Sequence, residues 1–126
     1  VINVSDPNDR NETFATTYGK DTGISTSGTY QVRYYINGRA YSHIIDPNTG
    51  EPTQSDIVSV TLIGPSAADC DALSTALCVM GTQSALTFIA QRLENYKVII
   101  IAKDGEGLKL ITNMAKSEYI SSGMRP

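Results

Sequence analysis

An α+β fold, with a mixed, largely antiparallel sheet and two helices packed against it, follows from three features of the sequence. Short segments rich in β-branched and aromatic residues occupy both ends of the chain. Between them, from about Ser66 to Leu93, apolar residues recur at helical spacing. An Asn37-Gly38 pair marks a tight hairpin in the first half. Strands, then two helices, then strands is the order expected when helices cover one face of such a sheet. At 126 residues with 40% hydrophobic composition, the chain is long enough for one modest core and reads as one domain.

The elements follow in order. Val1 to Val4 is a short strand, Ser5 to Asp9 a turn-rich loop, and Phe14 to Tyr18 a second strand broken by Gly19 to Asp21. Ile24 leads into Ser25-Thr26-Ser27-Gly28, where small hydroxyl residues before a glycine permit close approach to a ligand; the run alone fits a bulge or turn better. From Tyr30, Val32, Tyr34 and Ile36 alternate with Gln31, Arg33 and Tyr35, and Asn37-Gly38 tolerates the positive φ of a type I′ turn. The return strand is Ala40 to Ile45, with His43 on the face of Tyr41 and Ile45. Asp46-Pro47-Asn48-Thr49-Gly50 ends it, because proline removes a ladder donor and Asp, Asn and Gly favour turns.

Ile57 to Ile63 is a buried strand. Ser66 then caps a helix running to Met80 before Gly81, with Asp69 completing a capping box and Leu73, Ala76, Leu77 and Met80 forming the apolar stripe. A second helix spans Thr82 to about Arg92, with Leu86, Ile89, Ala90 and Leu93 on its buried side. Leu73, Leu77 and Leu86 are expected to face Val60, Leu62, Val98 and Ile100. Lys97 to Ala102 and Leu108 to Thr112 form a hairpin about Asp104 to Gly107, residues 118 to 120 an edge strand, and residues 121 to 126 a frayed end.

Ten lysines and arginines against 13 aspartates and glutamates give a formal charge of −3, without a basic block. Backbone binding to nucleic acid needs concentrated positive charge, so no nucleic-acid partner is expected. No apolar run approaches a membrane span, and within these residues no charged-then-apolar leader precedes the first strand-like segment. Cys70 and Cys78 lie about 12 Å apart along the first helix. That separation is too great for a disulfide, so both are expected as buried free thiols.

Asp71 and Thr75 stand one helical turn apart on one face, a carboxylate and a neutral hydroxyl suited to magnesium that is held partly by substrate phosphates. An ordinary polar helix face accounts for the same spacing. His43 is the only histidine, so a three-histidine zinc centre is impossible within this chain. Near Asp46, its imidazole can orient or deprotonate a hydroxyl, or simply close a strand end. Pro47-Asn48-Thr49-Gly50 offers backbone amides and the Thr49 oxygen to an anion but lacks the span and lysine of a P-loop. Ser25, Thr26 and Ser27 can add hydroxyls around a phosphate and Arg33 can neutralise it, while Tyr30, Tyr34, Tyr35 and Tyr41 can stack on a planar ligand or merely pack.

The ordered set of these segments is more specific than any one of them. Ile24-Ser25-Thr26-Ser27-Gly28, Tyr41 through Gly50, Ser59-Val60-Thr61, Pro65-Ser66-Ala67 and Asp71 through Leu77 closely resemble the carboxy-terminal part of the ApbE family, the FAD:protein FMN transferases. The resemblance implies that residues 1–126 are that carboxy-terminal portion, belonging to a magnesium-dependent enzyme. Such an enzyme moves FMN from FAD to a threonine or serine hydroxyl of a target flavoprotein and releases AMP. It implies metal ligation by Asp71 and Thr75, and a catalytic or positioning role for His43 at the flavin phosphate. Ser25, Thr26, Ser27, Gly28, His43, Asp46, Pro47, Thr49 and Gly50 become the expected binding residues for FAD. The implied targets are flavin-bearing subunits of membrane electron-transport complexes, on the periplasmic or extracytoplasmic face.

Complete members of that family are more than twice as long, so an amino-terminal half is expected to be missing here. The chain then reads as a piece of a longer protein, prone to form a homo-oligomer through the surface meant for the missing half. The alternative reading is a noncatalytic flavin-binding or protein-interaction domain on the same scaffold. Thr29 departs from the resemblance, since many relatives carry an acidic residue there.

Overall fold

The computed structural model describes residues 1–30 and 33–121. Gln31, Val32 and residues 122–126 lie outside the described residues; of the frayed end expected over residues 121–126 only Ser121 is described, and it is a buried strand residue, not frayed. Among the described residues, eleven strands and two α-helices follow one another as β1 (Ile2–Ser5), β2 (Thr13–Thr17), β3 (Gly23–Gly28), β4 (Arg33–Ile36), β5 (Arg39–Ser42), β6 (Ile45–Asp46), β7 (Glu51–Pro52), β8 (Ile57–Gly64), α1 (Ala67–Met80), α2 (Thr82–Arg92), β9 (Lys97–Asp104), β10 (Gly107–Thr112) and β11 (Tyr119–Ser121).

Every strand pairing among the described residues is antiparallel. The strands divide into a four-stranded sheet in the order β10-β9-β8-β3, a three-stranded sheet in the order β1-β2-β11, and the separate pairs β4-β5 and β6-β7. The expected α+β class with two helices against a largely antiparallel sheet therefore holds, and the helices cover one face of the four-stranded sheet.

The period of two along β9 explains the layering. Val98, Ile100 and Ala102 point toward the helices, while Ile99 and Ile101 point to the opposite side, where Val4, Ala15 and Met114 cover them. A strand buried on both faces must be apolar at every position, as Val98–Ala102 is. In β8 a register shift between Ile57 and Ser59 sets Ile57 on the helix side together with Val60 and Leu62.

The helices sit differently about their axes than the apolar stripes suggested. On α1 the fully buried line is Cys70, Ser74, Leu77 and Cys78, with Leu73 and Met80 only partly covered. A buried serine is tolerated because Ser74 Oγ is 2.8 Å from Ser27 Oγ on β3 and donates to the Asp71 carbonyl at 3.0 Å. On α2 the buried residues are Ala85 and Ile89, followed by Leu93 at its end, and Leu86 is 44% exposed. Leu86 therefore does not face Val60 or Ile100, and Ala90 is exposed as well. Both stripes pass through Ile89 and Leu93.

Local chemistry sets the ends of these elements. Ser66 Oγ accepts from the Asp69 amide at 3.3 Å and caps α1. Gly81, at φ +80°, joins the helices without a side-chain cap of its own, and the distant Asp56 carboxylate accepts from the Thr82 amide at 2.8 Å instead. At Asn37-Gly38 both residues have positive φ, and Ile36 pairs with Arg39, the two-residue hairpin the sequence predicts.

The return strand is a correction. It does not run to Ile45 but stops at Ser42, bends through His43 and Ile44, and resumes as β6. Ile44 accounts for the bend: its side chain is buried in the helix-side core, its amide donates to Ser42 Oγ at 3.1 Å, and its carbonyl accepts from Thr53 at 2.9 Å.

Candidate functional site

The edge strand β3 and the helix α1 form one wall of the site. Along β3, Ser25 and Ser27 turn toward α1, and Thr26 turns to the other face, where its hydroxyl lies 2.8 Å from that of Thr61. Ser25 Oγ donates to an Asp71 carboxylate oxygen at 3.3 Å. Ser27 Oγ is 2.8 Å from Ser74 Oγ and 2.9 Å from Thr75 Oγ1. Thr75 Oγ1 also lies 3.2 Å from the Asp71 carbonyl, the backbone bond that an i, i+4 threonine makes on a helix.

These groups border a cavity of about 390 Å³ lined by Thr26, Ser27, Gly28, His43, Asp71 and Thr75, with Ile44 and Ile45 adjoining. Six residues singled out by sequence thus meet at one place, although His43 and Asp71 are far apart in the chain. The bend at His43 and Ile44 brings this about: burying Ile44 leaves the preceding imidazole exposed at the cavity.

Ser25 stands behind Asp71, outside the lining. Asp46, Pro47, Thr49 and Gly50 do not line the cavity. Their loop closes on itself: the amides of Asn48, Thr49 and Gly50 donate to the Asp46 side chain or carbonyl, and the Glu51 amide donates to Thr49 Oγ1 at 3.2 Å. Those amides serve the turn in this structure.

The residue that sequence reasoning missed is Ser74. Its only signal was its place three positions after Asp71, since a serine on an apolar helix face ordinarily argues for exposure. Below it Cys78 Sγ lies 3.5 Å from the Ser27 carbonyl, and burial pushes its thiol up to about 12. Cys70 and Cys78 are both free and buried.

Asp71 and Thr75 provide hard oxygen donors of the kind magnesium takes, and the remaining positions of an octahedron would fall to substrate and water. Among the described residues no group of three or more His, Cys, Asp or Glu side chains is placed to hold a metal ion.

His43 also borders a second, larger and more apolar cavity of about 540 Å³, whose walls include Tyr34, Ile36, Tyr41 and Ile45. The Arg39 guanidinium sits 5.4 Å from the Tyr41 ring centroid. Tyr34 and Tyr41 are thus placed to meet a planar group near His43, whereas Tyr30 packs against Gly28 and Tyr35 is exposed. Arg33 reaches neither cavity.

Residues 1–100 match the sequence profile of the ApbE family. The chain belongs to the ApbE family. It is 47% identical over 87 residues to the FAD:protein FMN transferase of Salmonella typhimurium, an alignment covering 69% of this chain and 24% of that protein. It is 37% identical over 106 residues to the Vibrio cholerae FAD:protein FMN transferase, covering 84% of this chain and 29% of that protein. Among solved structures, the ApbE protein of Thermotoga maritima superimposes with a TM-score of 0.72 at 32% identity, covering 86% of this chain and 34% of that one. The apo flavinyl transferase ApbE of Pseudomonas stutzeri gives a TM-score of 0.60 at 33% identity, covering 73% of this chain and 29% of that one. The ApbE chain described here therefore spans about a quarter of the length of the curated relatives. No helix among its described residues is long and apolar enough to cross a membrane.

Proposed function

We propose that this chain contributes the His43 side of a magnesium-dependent FMN transferase site and acts within a protein of its relatives' length. The observation that supports this most directly is the cavity shared by His43, Ser27, Asp71 and Thr75. In this reading the FMN phosphate of FAD lies between the imidazole and the oxygen cluster, with the planar ring toward Tyr34 and Tyr41.

The proton of an acceptor threonine or serine hydroxyl passes to the His43 imidazole as the acceptor oxygen bonds to the FMN phosphorus. The bridging phosphorus–oxygen bond to AMP breaks in the same displacement, and AMP leaves with that oxygen. Asp71 and Thr75 would hold magnesium, which offsets phosphate charge and polarises the diphosphate. Ser25 orients the Asp71 carboxylate, and Ser27, itself bonded to Ser74, holds the Thr75 hydroxyl. Ser25, Thr26, Gly28, Asp46, Pro47, Thr49 and Gly50 complete the flavin-binding surface in this proposal. The acceptor is a flavin-bearing protein of an electron-transport assembly at an extracytoplasmic membrane face, as the family resemblance implies.

The deciding experiment extends the chain to the length of its relatives, supplies FAD, magnesium and a target protein, and looks by mass spectrometry for covalent FMN on the target. Unchanged transfer after replacing both Asp71 and Thr75 would sink the metal assignment.

A noncatalytic flavin-binding or interaction domain is the second reading. FAD titration of the 126-residue chain separates binding from scaffold alone. Exposed Tyr34, Tyr35, Ile36 and Ile45 favour a homodimer or pairing with another segment of a protein of the relatives' length. Sedimentation across a concentration series tests that association, and a monomer throughout rejects it.

A further inference from the structure

Arg33 and Ser42 are register partners in the β4-β5 hairpin and share the face opposite Tyr34 and Tyr41. On that face lies a polar cavity of about 250 Å³; it shares no lining residue with the cavity of Ser27, Asp71 and Thr75, and adjoins the larger apolar cavity through Tyr41, Ser42 and Gln54. Two cations border it, Arg33 from the hairpin and Lys103 from β9. Among the described residues neither forms an ion pair, and no carboxylate lines the cavity.

The hydroxyls around these cations are oriented by the backbone. Ser42 Oγ accepts from the Ile44 amide at 3.1 Å, Thr53 Oγ1 from the Ser55 amide at 3.2 Å, and Ser55 Oγ from the Ile57 amide at 3.0 Å. With an acceptor site of each hydroxyl occupied, its O–H is left to donate. Gln54 lines the same cavity, and its carbonyl oxygen accepts from Arg39 at 3.4 Å, which leaves its NH2 as the unengaged end. Two positive charges and a set of outward hydroxyl and amide donors, with no carboxylate among them, are the complement of an oxyanion.

We infer that this cavity is a phosphate-binding site, separate from the cavity of Ser27, Asp71 and Thr75, taking either free phosphate or the phosphate of a nucleotide. Arg33 and Lys103 supply charge, and Ser42, Thr53 and Ser55 supply hydrogen bonds. Thr29 lines the cavity as well, with its hydroxyl directed to the Val58 carbonyl at 3.4 Å. A carboxylate at that position would occupy the site with the wrong charge.

Inorganic phosphate and AMP are each titrated into the 126-residue chain at fixed ionic strength, and backbone amide shifts are followed by NMR. The expected result is a saturable response centred on Ser42, Gln54, Ser55 and Lys103. An Arg33→Gln/Lys103→Gln double variant weakens it by about tenfold or more, the scale of a lost charge-assisted contact. Thr29→Asp weakens it likewise, and the dispersed spectrum of each variant verifies folding. Saturation by inorganic phosphate identifies the free anion as sufficient; saturation by AMP alone identifies a nucleotide-borne phosphate. Shifts matched by chloride at equal ionic strength, shifts unchanged in the variants, or no response to either ligand overturn the assignment. The response is read at Ser42, Gln54, Ser55 and Lys103 and not at Ser27, Asp71 or Thr75, where AMP as a transfer product would be felt, so the phosphate site and the transferase reading fail independently.

Discussion

The hydroxyls of Ser27 and Thr75 lie 2.9 Å apart, tying β3 to α1 at the cavity that His43 borders. Ser27 is buried and bonds Ser74 as well, so Ser27→Ala removes two side-chain contacts and leaves Ser74 with the Asp71 carbonyl. The expected loss is about 1–2 kcal/mol in urea unfolding. A variant as stable as the parent would show that these bonds merely replace equivalent water contacts.

Asp71 is exposed and stands on the cavity side of α1. Asp71→Asn is expected to leave unfolding within about 0.5 kcal/mol of the parent. In a chain of full family length it should suppress magnesium-dependent transfer by orders of magnitude. His43→Ala should lower transfer while FAD still binds. Loss of FAD affinity matching the loss of rate would make His43 a binding group instead.

Leu77 and Leu86 separate the two helices' contributions. Leu77 is fully buried in the core, and Leu77→Ala should cost about 2–5 kcal/mol. Leu86, being exposed, should cost under about 1 kcal/mol on the same change. Denaturant midpoints of the two variants test the contrast, and equal costs would return Leu86 to the core.

Gly23 lies where β3 passes the first turn of α1. A β-carbon there would collide with the backbone nitrogen and Cα of Ala67, groups that cannot swing aside as a side-chain tip would. Gly23→Ala is expected to destabilise by about 1–3 kcal/mol in thermal or urea unfolding. A neutral outcome would mean that α1 slides along the strand without loss.

Asp56 caps α2 from outside the helix. Burial resists its ionisation, but hydrogen bonding from Thr82 outweighs it and holds the carboxyl below its ordinary value of 3.8. A group depressed on folding stabilises above its unfolded value, and the contribution is lost as pH falls through the folded one. Asp56→Ala should therefore cost about 1 kcal/mol at neutral pH, with the gap narrowing below about pH 4. A gap constant down to pH 2 would remove the carboxylate from the account.

Much of this fold is legible in sequence wherever one local signal decides. Asn37-Gly38 specifies its turn because both positions require positive φ, and the unbroken apolar run of Val98 to Ala102 specifies a buried strand. What that run does not say is which neighbours cover each face, so the second, three-stranded sheet stays hidden. The bend at His43 is equally invisible, because Tyr41 to Ile45 looks like a continuous strand until Ile44 finds the core. Leu86 misleads because hydrophobicity marks a stripe without fixing how the helix is rotated. Within the site, Asp71, Thr75 and His43 were visible as residue types. Ser74 was not, since its burial depends on Ser27 from another strand.

The bend that exposes His43 also has a mechanical meaning. On one side the imidazole is attached to a hairpin that packs chiefly on itself; on the other it adjoins Ile44, which is locked in the core and held by Ser42 and Thr53. His43 therefore stands at the joint between a self-contained hairpin and a residue fixed in the core, whereas Ser27, Asp71 and Thr75 belong to a strand and a helix packed directly on one another.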